Sequence, residues 1–241
     1  MRPIDISRRL NISTTTLRNY EDMDMIPNVT RTASGYRIYS EEHFAYFICI
    51  REMLGGFRLA FISKVLKEVI AKKINSALWM VNQTQAELNR EKIISKKISL
   101  NLLCKAVRPI STRQERLTIN DVSRESGIPV TTIRYWDKIG LLSAKRCVGN
   151  NYRIFTSEHI RQALIIYALK LSFHANGQKH YIDKIKEGLV DFDYNDKSKI
   201  KDMTKGIEQY LDQTNRDQIR GISALYRLCV QVESNHFDNQ I

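Results

Sequence analysis

The chain has 241 residues, of which 43% are hydrophobic and 27% are charged. These fractions are typical of globular proteins, so they exclude a disordered, fibrous or collagen-like chain, and the length suits one large domain or two small ones. The net charge of +12 favours nucleic acid or another polyanion as the partner.

The first predicted elements are two short helices joined by a tight turn. Residues 4–10 have the apolar spacing of a short amphipathic helix, and Asn11 is of a type that adopts positive φ at low cost. Ser13 is placed to cap a second helix over residues 14–21. The pattern predicts a helix-turn-helix, whose second helix exposes the hydroxyls and guanidinium groups that suit phosphates and base edges.

A small hairpin is predicted next, over residues 27–39. Alternating strand formers flank a Ser-Gly turn at residues 34–35, and such a hairpin beside a recognition helix is a wing. Ser40 then caps a third helix, with Glu41 and Glu42 in its first turn, where the helix dipole favours carboxylates.

A long helix is predicted over residues 74–107, which contain no glycine or proline and precede Pro109. At 1.5 Å per residue it would be roughly 50 Å long. Thr84, Gln85 and Glu91 interrupt its apolar stripe. The stripe consists of Ile74, Ala77, Val81, Leu88, Ile94, Ile98 and Leu102. The basic excess of this central part of the chain is either a solvated helix face or a contact with a polyanion.

Residues 121–160 repeat residues 5–44 without a gap, at an offset of 116 positions. A duplicated module is the simplest explanation. The identical pairs are Asp5/Asp121, Ser7/Ser123, Arg8/Arg124, Ile12/Ile128, Thr15/Thr131, Thr16/Thr132, Arg18/Arg134, Tyr36/Tyr152, Arg37/Arg153, Ile38/Ile154, Glu42/Glu158 and His43/His159.

The second copy carries the same local signals as the first. Gly127 suits the turn between the two helices, and Pro129 sets φ for the first turn of the second helix, over residues 130–137. A wing is predicted with its turn at residues 149–151, and Thr156 caps a third helix. The chain therefore contains two predicted winged helix-turn-helix modules.

A last long helix is predicted over residues 198–232. Its apolar residues are Ile200, Met203, Ile207, Leu211, Ile219, Ile222, Leu225 and Leu228. The predicted fold class is mainly α, with two winged helix-turn-helix modules, each followed by accessory and long pairing helices. The predicted domains are a first module at 1–73, a long helix and linker at 74–116, a second module at 117–176 and a C-terminal helical region at 177–241.

The order of residues in both copies resembles the DNA-binding module of the MerR family of bacterial transcription regulators. Family members ordinarily carry one such module and pair through a long C-terminal helix, so two modules in one chain is a departure. Asn19 stands where the family has an aromatic residue, and Asp24 where it has glycine. The resemblance rests on residues 12–21, 25–27, 35–39 and 54–59 of the first copy and on residues 127–136, 140–142 and 152–155 of the second.

The resemblance implies double-stranded DNA as the partner, with each second helix in a major groove and each wing on the adjacent backbone. Arginines are the main expected contacts to phosphates or base edges, threonines are expected at the helix starts, and tyrosines donate hydroxyls unless they pack in the core. The core is the stronger expectation for Tyr39, Trp136 and Phe155. The candidate DNA-binding residues are Thr15, Thr16, Arg18, Asn19, Tyr20, Arg31, Tyr36 and Arg37 in the first copy, and Thr131, Thr132, Arg134, Tyr135, Arg146, Tyr152 and Arg153 in the second.

Two DNA-binding modules that act as a pair need half-sites about one helical turn, ~34 Å, apart. A long helix could hold the two modules at that distance. We expect the two long helices to pack together within one chain and form a pseudo-dimer. A homodimer with four modules is the alternative. Asn19 and Tyr135 differ between the copies, so the half-sites are expected to differ as well.

These features predict a sequence-specific DNA-binding transcription regulator whose two modules bind one operator, with RNA polymerase as a candidate partner. Activation and repression both remain open. The alternative is an architectural or recombination-accessory protein that bends DNA. A third hypothesis is a protein-interaction module without DNA affinity. The presence of an arginine at the same hairpin position in both copies, Arg37 and Arg153, argues against it.

No catalytic residue, metal site or cofactor is expected. The cysteines at 49, 104, 147 and 229 form no metal or disulfide pattern, and we expect ordinary thiols in a cytoplasmic, nucleoid-associated protein. No apolar run is long enough for a membrane span. His43 and His159 occupy equivalent positions that suit capping or packing. Several aromatic and sulfur side chains could line an effector pocket, although core packing is favoured: Trp79, Met80, Tyr181, Phe192, Tyr194, Tyr210 and Tyr226.

Overall fold

The computed structural model describes residues 1–103, 116–147, 152–175, 182–190 and 196–237. These residues form ten helices and two antiparallel hairpins of two strands each, which confirms the mainly α fold class. The chain divides into two compact units that are not consecutive segments. The first comprises Met1–Glu87 and Gln213–Ile241, and the second comprises Leu88–Asp212.

The first unit begins with two helices, α1 (Pro3–Leu10) and α2 (Thr14–Asp22). Asn11 between them has φ 50°, the left-handed conformation that the sequence predicts for the turn. The Ser13 hydroxyl accepts a hydrogen bond from the Thr16 amide at 3.0 Å and caps α2 as expected.

A hairpin and two further helices complete the first copy of the repeat. The hairpin pairs β1 (Thr30–Arg31) with β2 (Arg37–Ile38), and it is followed by α3 (Glu41–Met53) and α4 (Leu59–Ile70). At the start of α3, the Ser40 amide donates a hydrogen bond to Nδ1 of His43 at 3.0 Å. His43 is thus a capping residue.

The second unit repeats this order with α6 (Ile119–Ser126), α7 (Val130–Lys138), β3 (Lys145–Arg146) and β4 (Arg153–Ile154). Gly127 has φ 80° at the turn between α6 and α7, the counterpart of Asn11. The Thr156 amide donates to Nδ1 of His159 at 3.1 Å, so the same histidine cap begins α8 (Ser157–Ala175). A further helix, α9, spans Ile182–Val190.

The two copies differ after their third helix begins. The last residue of α3, Met53, corresponds to Leu169 in the second copy, but α8 continues beyond that position to Ala175. Leu171 and Ser172 stand where the first copy has Gly55 and Gly56, so the second copy lacks the residues that break the first helix. The longer α8 is therefore a direct consequence of the lost glycines.

Two long helices, α5 (Ile74–Leu103) and α10 (Lys197–Ser234), contribute residues to both units. In the first unit, Nε2 of Gln85 donates to Oε1 of Gln218 at 2.5 Å. In the second unit, Nζ of Lys92 donates to the carboxylate of Asp212 at 2.7 Å. Each unit therefore contains a contact between α5 and α10 of the same chain.

Every residue of the predicted α5 stripe is buried, from Ile74 to Leu102. The prediction that Ile219 belongs to the apolar stripe of α10 is wrong, because 54% of Ile219 is exposed. Gln218 takes that core position and is only 5% exposed, seven residues after Leu211 and seven before Leu225. An amide whose hydrogen bonds are satisfied by Gln85 and by the Gly56 carbonyl can occupy this site.

Two aromatic residues favoured for the core are exposed instead. Trp79 is 71% exposed and Tyr226 is 60% exposed. Trp79 and Met80 line an open groove of about 670 Å³ with Phe61, Gln83 and Glu87 among its other residues. In the described part of the chain, no helix is apolar over enough of its length to span a membrane. Several predicted features lie outside the described residues: the turn at 149–151, Cys104, Pro109, Tyr181, Phe192 and Tyr194.

Candidate nucleic-acid interface

The second helix of each repeat presents the same pattern of exposed and buried side chains. Arg18 on α2 and Arg134 on α7 are exposed, and the residues before them, Leu17 and Ile133, are buried in the two cores. An exposed face that begins with short hydroxyls and continues with a guanidinium group can approach a polyanion. The exposed residues of the face are Thr15, Arg18 and Asn19 on α2 and Thr131, Arg134 and Tyr135 on α7, whereas Thr16 and Thr132 are half-buried.

Tyr20 is not part of this face, which corrects the sequence prediction. It is only 4% exposed, and its ring lies 6.3 Å from that of Phe47 in the core. Trp136 occupies the equivalent position in the second repeat and is also buried, with its ring 6.3 Å from that of Tyr167. Both helices therefore use this position to pack against the third helix of their repeat.

The hairpins carry one exposed tyrosine each. Tyr36 and Tyr152 are both 74% exposed, the highest value of any large hydrophobic side chain in the described residues. They lie directly before β2 and β4, where an aromatic ring with a hydroxyl can contact a sugar or a phosphate. Equal exposure in the two copies places both tyrosine rings outside the cores.

The register of the hairpins differs by one residue from the ungapped repeat. Arg31 lies opposite Arg37 in the first hairpin, and Arg146 lies opposite Arg153 in the second. The ungapped offset would place Cys147, not Arg146, at the position of Arg31. The second connection is therefore one residue longer, and it brings Arg146 into the strand position that Arg31 occupies.

Carboxylates on the second helices bind the hairpin arginines. Nε of Arg37 lies 2.6 Å from Glu21, and Arg31 reaches the other oxygen of that carboxylate at 3.3 Å. In the second repeat, Arg153 forms an ion pair with Asp137. The hydrogen bond that Arg37 donates to the Glu21 carboxylate raises the pKa of Arg37. Each hairpin is thus tied to the helix that carries the exposed arginine.

The sequence pattern predicts Arg37 and Arg153 as direct DNA contacts and does not by itself identify their partners Glu21 and Asp137. The signal was present, because these two carboxylates align at the offset of 116 although they are not identical residues. The ion pairs give the hairpin arginines an orienting role within each repeat. In the described residues, no group of three or more His, Cys, Asp or Glu side chains is placed to hold a metal ion.

Comparison with known proteins identifies both repeats. Residues 2–39 match the family model described as MerR family regulatory protein, and residues 117–173 match the one described as MerR HTH family regulatory protein. No curated protein and no solved structure matches the chain. The two matches confirm the resemblance predicted from the repeat and indicate DNA binding and transcription regulation.

Proposed function

Because both repeats match MerR family models, we propose that the chain is a sequence-specific transcription regulator whose two modules both bind one DNA operator. The observation that carries this proposal is the repeated face on α2 and α7. Two helices in one chain expose the same threonine and the same arginine, and two hairpins expose the same tyrosine. One retained face would suffice for a protein that binds a single site.

In the proposed complex, each exposed helix lies in a major groove. Arg18 and Arg134 read base edges there, with guanine as the preferred partner of a guanidinium group. Thr15 and Thr131 contact phosphates at the helix starts, and the hairpin tyrosines Tyr36 and Tyr152 contact the adjacent backbone. Arg31 and Arg146 complete the backbone contacts.

The half-sites of the proposed operator are unequal. Asn19 on α2 and Tyr135 on α7 present an amide and a phenol at the same exposed position. The hairpins also differ, since β1 carries Thr30 where β3 carries Lys145. Different side chains at equivalent positions read different bases and hold different numbers of phosphates.

We further propose that the functional species is a monomer that imitates a dimer. The apolar stripes of α5 and α10 are buried within one chain, and Gln85 and Lys92 bind α10 of the same chain. Light scattering should therefore give a mass near the 28.1 kDa of one chain. A particle of twice that mass at low concentration supports a homodimer with four modules instead. The proposed location is the cytoplasm, on the nucleoid, where RNA polymerase is the partner.

The test is selection of bound sequences from random duplexes with the full chain, repeated with Arg18→Ala and with Arg134→Ala. Each substitution should cost about 1–3 kcal/mol and relax the preference at a different half of the site. Arg227→Ala removes an exposed arginine of α10 outside both modules and should leave the selected sequence unchanged. If both interface variants relax the same half, the two modules do not share one operator.

Transcription in vitro from a promoter that contains the selected site separates regulation from architecture. A regulator changes the amount of transcript when the operator is present and leaves it unchanged when the operator is scrambled. An architectural DNA-bending protein binds and bends the same duplex without a change in transcript.

A further inference from the structure

We propose that Lys97 on α5 is a positioning residue that fixes the helix-turn-helix of the second module to the long helix. Nζ of Lys97 donates hydrogen bonds to the backbone carbonyls of Glu125 at 2.7 Å and Arg124 at 3.2 Å. Both carbonyls belong to the last turn of α6. This inference rests on the proposed function, because it concerns the affinity of that module for its half-site.

The contact places a positive charge at the negative end of α6. The last carbonyls of a helix have no partner within the helix, and a cation near them is stabilised by the helix dipole. The side chain also lies against the turn that follows, since a Cβ on Gly127 would be 3.6 Å from Nζ of Lys97 and 3.4 Å from Ile94. Gly127, with its positive φ, is the hinge between α6 and the exposed helix α7.

Apolar packing alone does not define the orientation of α6 and α7 on α5. Ile94, Ile98 and Leu102 of α5 are buried in one core with Val122 of α6 and Ile133 of α7. Hydrophobic contacts are non-directional and tolerate small rotations. The two hydrogen bonds from Lys97 are directional and act at the end of α6, five and six residues before α7 begins, so they select one rotation of the helix-turn-helix.

The first module has no equivalent anchor. Among the described residues, no lysine is bonded to the carbonyls of Arg8 and Arg9, which occupy the positions of Arg124 and Glu125 in the last turn of α1. The effect of Lys97 should therefore be confined to the half-site that the second module binds. That half-site is the one whose preference relaxes in Arg134→Ala.

The experiment compares full-length wild type with Lys97→Met, Lys97→Arg and Lys96→Met on the selected operator and on two duplexes with one half scrambled. Lys97→Met keeps the aliphatic stem and removes both donors, and it should lower operator affinity about fivefold. Lys97→Arg keeps charge and donors and should stay within about twofold of wild type. Lys96→Met removes an exposed charge from the same helix and should also stay within about twofold.

Three readouts separate positioning from other roles. The loss in Lys97→Met should disappear when the second module's half is scrambled and persist when the first half is scrambled. The slope of log K against log salt should match that of wild type, since a lost phosphate contact would reduce it by about 0.9. The thermal unfolding midpoint should fall by no more than a few degrees, so that the variant stays folded at the assay temperature. If Lys97→Met unfolds, Lys97→Gln, which is also uncharged but keeps a polar side chain, serves for the same comparison.

Equal affinities of Lys97→Met and wild type, a reduced salt slope, or equal losses at both halves would each overturn the inference. These outcomes presuppose that the wild-type chain binds the operator. If the wild type selects no sequence from random duplexes, it is the proposed function that fails.

Discussion

Nε of Arg37 donates a hydrogen bond to the carboxylate of Glu21 at 2.6 Å, and this contact joins the first hairpin to the exposed helix. Arg153 and Asp137 form the corresponding pair in the second repeat. A retained arginine in a DNA-binding module is readily interpreted as a phosphate contact. Because Nε of Arg37 already donates to a carboxylate, this arginine acts first by holding the hairpin against the exposed helix α2.

We predict that Glu21→Gln makes DNA binding stronger but less selective. The substitution weakens the hold on Arg37, and if this arginine then reaches a phosphate it steepens the salt dependence by about 0.9. The measurement is the ratio of affinities for operator and random duplex at several salt concentrations. Asp22→Asn removes a neighbouring exposed carboxylate of α2 and should leave that ratio unchanged. A higher ratio in Glu21→Gln contradicts the orienting role.

The buried amide pair predicts an unusual pattern of stabilities. Gln218→Leu leaves Gln85 and the Gly56 carbonyl without their partner and should destabilise the first unit by about 1–3 kcal/mol. Adding Gln85→Leu should recover part of that loss, because two apolar residues then face each other. Denaturant unfolding measures both effects. Ile219→Gln, at the exposed neighbouring position, should change stability by less than about 0.5 kcal/mol.

The apolar stripe of α10, in which Gln218 and not Ile219 is buried, shows what sequence patterns can and cannot predict. Helical periodicity found both long helices and the apolar residues of α5, because each buried position depends on spacing within one helix. It failed at Gln218, whose burial depends on Gln85 and Gly56, 133 and 162 residues away. The repeat likewise found both exposed arginine helices. It could not reveal the pairing of Arg37 with Glu21, which follows from how the hairpin folds back on α2.

Close approach of α10 to the turn after α3 predicts opposite effects for two glycines. A Cβ on Gly56 would lie 2.5 Å from the backbone nitrogen of Gln218, so Gly56→Ala should cost about 2 kcal/mol or more as the helix moves away. A Cβ on Gly206, within α10, would meet nothing within 4 Å. Gly206→Ala should therefore stabilise the chain by about 0.5–1 kcal/mol. Thermal unfolding of the two variants checks the sign of each change.

Burial predicts that two cysteines are unreactive in the folded chain. Burial raises the pKa of the Cys229 thiol to about 11 and also raises that of Cys49, so neither is a thiolate near neutral pH. Cys147 on the second hairpin is half-buried. Alkylation at pH 7.5 followed by peptide mapping should modify Cys147 first and reach Cys49 and Cys229 only after unfolding. Rapid labelling of Cys49 in the native protein would show that its site opens.

The difference between Asn19 and Tyr135 predicts that half-site preference can be transferred by a single exchange. Both side chains are exposed on the same face of their helices, so neither Asn19→Tyr nor Tyr135→Asn disturbs a core. Selection from random duplexes should show that Asn19→Tyr shifts the first half-site towards the sequence of the second, by about 1 kcal/mol in relative affinity. Tyr135→Asn should produce the reverse shift. Tyr226→Asn, at an exposed position of α10, should shift neither half. If the exchanges lower affinity without changing either preference, the side chain at this position contacts the DNA backbone. The difference between the two half-sites must then be recognised by the hairpins.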